Sequence, residues 1–163
     1  FSHIKLSKKL GKIKAIYVTP LRALNRDVFR RIVRYAENDG LSIEIRHGDT
    51  PQSTRKKISN SPPDILITTP ETLVILLTQK KMLDALSELE WIVIDEVHEL
   101  LGNERGSQLS LSLERLHLNS NLEITRIGLS ATIGNPEESG KFVVGTKRKL
   151  KIIRDNSKRQ QKI

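Results

Sequence analysis

The run Asp64-Ile65-Leu66-Ile67-Thr68-Thr69-Pro70 passes from a buried strand straight into a helix. Its aliphatic, largely β-branched core suits a strand covered on both faces. Thr69 is an N-cap residue type, and Pro70 is tolerated at the first helical position because its missing N–H would have had no partner there. The same junction recurs at Thr19-Pro20 and Thr50-Pro51, with a relative at Asn135-Pro136. Residues 13–18, 42–46, 91–94 and 124–129 also read as buried strands, with 150–153 as a further candidate. Between them lie helix-period stretches, the clearest being Leu21, Leu24, Val28, Ile32 and Tyr35, whose spacings of three and four put them on one face. Residues 108–118 fit both an alternating and a helical pattern, and their length and lack of β-branching favour helix. Strands alternating with helices predict an α/β domain with a mainly parallel sheet and helices on both faces.

If the strands are parallel, all four junctions emerge at the carboxyl edge of one sheet, where α/β proteins bind ligands. Free backbone N–H groups and the positive end of the helix dipole make each a candidate phosphate site; a single Thr-Pro is more readily a cap and nothing more, and only the row of them on one edge brings the two readings level.

The 163 residues suit one domain, and 37% hydrophobic content suffices for a core. The absence of cysteine excludes disulfides and thiolate metal sites, and a cytoplasmic setting is expected. No apolar run approaches the ~18 residues of a membrane span, and residues 1–11 are too lysine-rich for a signal-peptide core, so a soluble protein with no membrane partner is expected. The net charge of +9 is unevenly spread: residues 1–34 hold ten Lys/Arg against one acid, residues 141–163 nine against one, and the stretch between nine against seventeen. An acidic middle repels a phosphate backbone unless local dipoles and placed arginines hold it, so nucleic-acid binding rests on motifs rather than on charge.

Trp91-Ile92-Val93-Ile94 ends abruptly in Asp95-Glu96. In nucleotide hydrolysis the first acid of such a pair holds Mg²⁺, directly or through water, and the second activates the attacking water. The competing reading is an exposed acid-rich turn, and His98 by itself adds little.

Five further stretches share a fixed order. Tyr17-Val18-Thr19-Pro20-Leu21-Arg22-Ala23-Leu24 resembles motif Ia of the superfamily 2 helicases, His47-Gly48-Asp49-Thr50 their glycine motif, and Thr68-Thr69-Pro70-Glu71-Thr72-Leu73 motif Ib. Asp95-Glu96-Val97-His98 is similar to motif II, the Walker B box of DEAD/DEAH proteins, and Ser130-Ala131-Thr132 to motif III. Arg105-Gly106-Ser107-Gln108-Leu109 and its continuation to Leu116, with Thr132-Ile133-Gly134-Asn135-Pro136-Glu137-Glu138, resemble the large helicase-related (Lhr) type. The resemblance implies a RecA-like (P-loop NTPase) fold and an ATP-dependent helicase with ATP and Mg²⁺ as cofactors. It assigns Asp95 to Mg²⁺ through water and Glu96 to the hydrolytic water. His98, Ser130 and Thr132 would couple nucleotide state to movement between lobes. Pro20, Leu21, Arg22, Gly48, Asp49, Thr69, Pro70 and Glu71 would line one strand of nucleic acid, gripped through its backbone without regard to sequence. Arg22 then stands as the one obvious cation among these residues. The Lhr resemblance favours single-stranded DNA over RNA, with hybrids as further substrates, and a prokaryotic, preferentially archaeal source.

Two departures qualify this. The phosphate-gripping Gly-x-x-x-x-Gly-Lys-Ser/Thr is absent; the nearest approach, Gly140 to Gly145 followed by Thr146-Lys147, reverses the last two residues and is expected to be a loop. The chain opens on Phe1 inside an amphipathic stretch, 1–10, expected to be the remainder of a helix. The expected organisation is a partial first lobe over 1–146, truncated at its N-terminus and lacking the Walker A loop, and a last strand with the start of an interlobe linker over 147–163. The second RecA-like lobe would be the partner. Alone, the polypeptide is expected to hydrolyse no ATP. A binding module that has lost hydrolysis, and a motor that moves on duplex without unwinding it, are the alternative readings.

Overall fold

The computed structural model describes residues 11–20, 22–131 and 134–154, with the backbone alone for 22–27. Five strands alternate with helices as the sequence predicts. They are β1 (Ala15–Val18), β2 (Ile43–Arg46), β3 (Ile65–Thr68), β4 (Trp91–Ile94) and β5 (Thr125–Gly128). The helices are α1 (Arg22–Asn38), α2 (Gln52–Asn60), α3 (Pro70–Leu76), α4 (Lys80–Ala85), α5 (Glu104–Asn119) and α6 (Pro136–Val144), and a 3₁₀ turn spans Val97–Glu99. The described strands form one sheet of order β2-β3-β1-β4-β5, every neighbouring pair parallel.

β1 is central, with Ala15 opposite both Ile65 and Trp91. Its connection leads to the β2–β3 side, whereas β4 leads on to β5. The crevice beyond the carboxyl ends of β1 and β4 is therefore the topological switch point of the sheet.

Side-chain alternation divides the core in two. Ile16, Val18, Leu66, Ile92 and Ile94 face the larger cluster, completed by Ile58, Leu73, Leu76, Met82, Leu109, Leu113, Leu116 and Val143 from α2 to α6. Ala15, Ile43, Ile65 and Ile67 face the other side, covered by Val28 and Ala36 of α1 with Phe29, Ile32 and Val33 partly buried. Helices thus cover both faces, in agreement with the expected RecA-like class.

The structure departs from expectation in five places. Tyr35 is 64% exposed, and Ala36 takes the buried position instead, so the inner face of α1 runs one residue further round than the Leu21–Tyr35 pattern predicts. Residues 124–129 contain β5, which among the described strands has a neighbour on one side only, with Ile127 and Leu129 exposed. Residues 150–153 form no strand. Gly140 is not in a loop: α6 continues through it to Val144 and ends at Gly145, whose φ of 84° is the left-handed value that favours glycine at a helix end. The Thr50-Pro51 junction is shifted, because Thr50 Oγ1 accepts from the His47 N–H at 2.9 Å and leaves Pro51 itself at the N-cap of α2. The Thr69-Pro70 and Asn135-Pro136 junctions behave as read, with the Thr72 N–H donating to Thr69 Oγ1 and the Glu138 N–H to Asn135 Oδ1, while the Thr19-Pro20 junction runs into Leu21, outside the described residues. Residues 1–10, Leu21, Thr132 and 155–163 lie outside the described residues.

Candidate nucleotide and nucleic-acid edge

The acid pair sits at the switch point. β4 ends at Ile94, and the Asp95 N–H donates to the Val18 carbonyl at 2.9 Å, which fixes the carboxylate beside the end of β1. Asp95 Oδ1 accepts from the Glu96 N–H at 2.9 Å, and Oδ2 accepts from Tyr17 Oη at 2.8 Å. Burial, reinforced by the hydrogen bond to Asp95 and its charge, pushes the Tyr17 phenol well above its ordinary range, so it stays a donor. Each carboxylate oxygen keeps acceptor capacity beyond its one protein donor.

Glu96 has φ 47° and ψ 50°, and it is the one non-glycine residue with positive φ among those described. This left-handed step turns the chain out of the strand direction into the 3₁₀ turn, with the Glu99 N–H donating to the Glu96 carbonyl. His98 Nδ1 lies 2.8 Å from Ser130 Oγ and 3.4 Å from Glu96 Oε2, while Nε2 lies 3.4 Å from Glu99 Oε1. The Val97 N–H donates to the Leu129 carbonyl and the Leu129 N–H to the Ile94 carbonyl. Asp95, Glu96, His98 and Ser130 thus stand together beyond β4, through the Glu96 N–H to Asp95 bond, the 3.4 Å approach of His98 to Glu96 and the His98–Ser130 contact.

Among the described residues no three His, Cys, Asp or Glu side chains converge on a metal position. Mg²⁺ keeps most of its waters and takes one or two carboxylates plus substrate phosphates rather than an all-protein cage. The lone, partly exposed Asp95 with spare acceptor capacity fits such an ion.

The nucleic-acid candidates lie along the same edge. Gly48 and Asp49 are exposed in a turn closed by the Thr50 N–H to the His47 carbonyl and by the Asp49 N–H to His47 Nδ1. Arg55 braces that turn, donating to the Gly48 carbonyl and, at 2.7 Å, to the Thr50 carbonyl. Thr69 and Pro70 are buried at the start of α3, and Glu71 is exposed. Pro20 is buried, with its carbonyl accepting from Arg105 Nη2 at 2.6 Å. Arg105 Nε also donates to Glu71 Oε1. Burial raises the Glu71 pKa, but the Arg105 bond, with backbone and Thr69 donors, outweighs it and holds the carboxyl below its ordinary value. Arg22 begins α1, and its side chain lies outside the description.

Arg22 is accordingly not the single cation of this edge, since Arg55 and Arg105 share it with their guanidiniums on protein carbonyls and a carboxylate. Sequence reading missed these two and Tyr17 as site-building residues. The signal for Arg105 was its place in the Arg105-Gly106 stretch after motif II, but its partners stand 34 and 85 residues away.

A family model for the DEAD/DEAH box helicases matches residues 1–139. The chain is 39% identical over 151 residues to the ATP-dependent helicase Lhr-Core of Saccharolobus solfataricus, covering 87% of this chain and 17% of that protein. It is 43% identical over 145 residues to the Lhr-Core helicase of Methanothermobacter thermautotrophicus, covering 82% and 17%. The solved structure of Mycobacterium smegmatis helicase Lhr bound to ssDNA and AMP-PNP superposes with a TM-score of 0.74 at 40% identity, over 82% of this chain and 19% of that one. The chain thus spans less than a fifth of the length of these relatives.

Proposed function

The chain belongs to the DEAD/DEAH box helicases, and from that membership we propose that it forms most of the first RecA-like lobe of a superfamily 2, Lhr-type helicase that couples ATP hydrolysis to movement along a single strand of nucleic acid. The observation that carries this reading is Asp95-Glu96 at the switch point of a parallel sheet, with one carboxylate braced by Tyr17 and the next residue turned out of the strand. Asp95 would hold Mg²⁺ through water, and the Mg²⁺-ATP so bound would supply a polarised γ-phosphate. Glu96 would orient and deprotonate the attacking water. His98, with Ser130 and Thr132, would pass nucleotide state to a second RecA-like lobe. Pro20, Leu21, Arg22, Gly48, Asp49, Thr69, Pro70 and Glu71 would line the strand.

Among the described residues no helix is long and apolar enough to cross a membrane. A cytoplasmic, prokaryotic setting belongs to the same proposal, supported by the archaeal and bacterial sources of the relatives. DNA is favoured over RNA, because the M. smegmatis relative was solved with ssDNA.

The test is phosphate release in the full-length helicase at saturating single-stranded DNA. Glu96→Gln is expected to lower turnover by about 100-fold or more, the contribution typical of a positioned general base, while DNA binding survives. Turnover within a few-fold of the parent would remove Glu96 from its role. DNA affinity measured by fluorescence anisotropy should fall steeply with salt, as phosphate contacts require. The 163-residue polypeptide, which carries no Gly-x-x-x-x-Gly-Lys-Ser/Thr, is expected to release no phosphate; release that Glu96→Gln abolishes would overturn that expectation.

A further inference from the structure

Glu71 is chemically out of place on an edge meant for phosphates, since a carboxylate repels them. The structure gives it a different partner. Arg105, the second residue of α5, donates Nε to Glu71 Oε1 at the start of α3 and Nη2 to the Pro20 carbonyl after β1. One planar guanidinium thereby joins the two strand-to-helix junctions that flank the candidate nucleic-acid path, with the two-pronged geometry that lysine cannot reproduce.

Arg105 is also tied backward to the acid pair. The Glu96 carbonyl accepts from the Glu99 N–H at 2.9 Å, and the Glu99 carbonyl accepts from Asn103 Nδ2 at 2.8 Å. Asn103 Oδ1 in turn accepts from the Gly106 N–H at 3.0 Å, capping α5 beside Arg105. Slack is excluded at the same place, because a Cβ on Gly106 would stand 1.8 Å from the Leu100 carbonyl oxygen. The remainder of α5 is strapped to the α3–α4 unit, with Arg115 Nη2 on the Leu77 carbonyl at 2.9 Å and Asn119 Nδ2 on the Leu83 carbonyl at 2.8 Å. Hydrogen bonds of ordinary length, joined by the covalent link from Gly106 to Arg105, thus connect Glu96 with Pro20 and Glu71.

We propose that Arg105 is a positioning residue that ties the Asp95-Glu96 turn to both nucleic-acid junctions, so that nucleotide and single strand sense one another through its bonds to Pro20 and Glu71. This rests on the helicase function proposed above. It adds a route inside the first lobe, separate from the His98–Ser130 contact assigned to communication between lobes.

Linkage supplies the test, since two coupled ligands change each other's affinity by the same factor. Binding of labelled single-stranded DNA to the full-length helicase is measured with and without AMP-PNP, for the parent, Arg105→Ala and Arg105→Lys. The parent is expected to bind both ligands and to show a DNA affinity that depends on AMP-PNP. Arg105→Ala should weaken DNA binding in AMP-PNP by about tenfold, the scale of one lost charge-assisted contact, and bring the AMP-PNP effect close to none. Arg105→Lys, able to keep the charge but not both contacts, should fall between. If Arg105→Ala does not fold, the lysine variant decides. An AMP-PNP effect equal to the parent's in the folded variants, or equal weakening with and without AMP-PNP as a merely structural defect would give, overturns the inference and leaves the proposed function standing. A parent that binds neither ligand overturns the proposed function and the inference together.

Discussion

Asp95 and Glu96 are adjacent in sequence and opposite in conformational state. Asp95 follows directly on β4 and is held on both carboxylate oxygens, by the Glu96 N–H and the Tyr17 hydroxyl. Glu96 is in the left-handed region, where an L-residue with a Cβ is strained by about 1 kcal/mol. The acids themselves were legible, because a β-branched run that stops at two carboxylates has few other readings. The left-handed turn was not, because glutamate has no preference for that region and nothing local announces it. The strain can be isolated by comparing two variants that both remove the charge. Glu96→Gln keeps it, whereas Glu96→Asn relieves it, since asparagine visits the left-handed region readily. Either variant loses the 3.4 Å approach to His98, which is partly exposed and contributes little. Glu96→Asn is therefore expected to be more stable than Glu96→Gln by about 0.5–1 kcal/mol in urea unfolding. Equal midpoints for the two would mean that the turn stores no strain.

Among the elements, α5 shows how far local propensity can mislead. Alanine is a better helix former than glycine by about 1 kcal/mol, so Gly106→Ala in the first turns of a sixteen-residue helix reads as stabilising. The structure reverses the sign. The obstruction is the Leu100 backbone carbonyl, which has no rotamer to yield. The clash should outweigh the propensity gain and leave a net loss of about 2 kcal/mol, read as a lower urea midpoint with unchanged slope. A midpoint at or above the parent's would show that residues 100–103 can retreat. The same contrast between local signal and distant partner decides which elements were readable. The five strands that form, the Thr69 and Asn135 caps and the helical course of 108–118 are announced by residue patterns within a few positions, and they fall where those patterns put them. Thr50 misled because its hydroxyl turns back to His47 instead of forward to cap α2. Tyr35 misled because a phenol ring satisfies apolar spacing while Ala36 does the burying. Residues 124–129 have the composition of a buried strand, and the exposure of Ile127 and Leu129 reflects that β5 has one neighbour among the described strands. Residues 150–153 have the β-branching of a strand but pair with none of the described strands.

Across the whole molecule the two cores are insulated by the sheet, and the side carrying α2 to α6 is closed by charge as well as by apolar contact. Glu114 on α5 accepts from Arg126 Nη1 on β5 and from Arg148 Nη1 beyond α6, both at 2.8 Å, and from Arg148 Nη2 at 2.9 Å. Arg126 is almost fully buried and also donates to the Leu113 and Val143 carbonyls, while Arg148 donates to the Val144 carbonyl. One carboxylate thus binds α5, β5 and the residues after α6. The hydrogen bond from Arg148, working against partial burial and joined by that from Arg126, lowers the Glu114 pKa from 4.5 to about 2. A carboxyl whose pKa is depressed in the folded state stabilises that state above its unfolded pKa and loses the contribution as pH falls through the folded one. The window is therefore pH 4.5 down to about 2. Because Glu114 is nearly half exposed, solvent screening keeps the contribution small, and the acid limb of the parent alone, to which every carboxylate contributes, would not isolate it. Glu114→Gln isolates it by keeping an acceptor oxygen and deleting the charge. Its unfolding free energy should lie below the parent's at neutral pH, and the difference should shrink through this window towards zero near its lower end. A difference that stays constant from neutral to acid would mean that geometry, not charge, holds the three elements together.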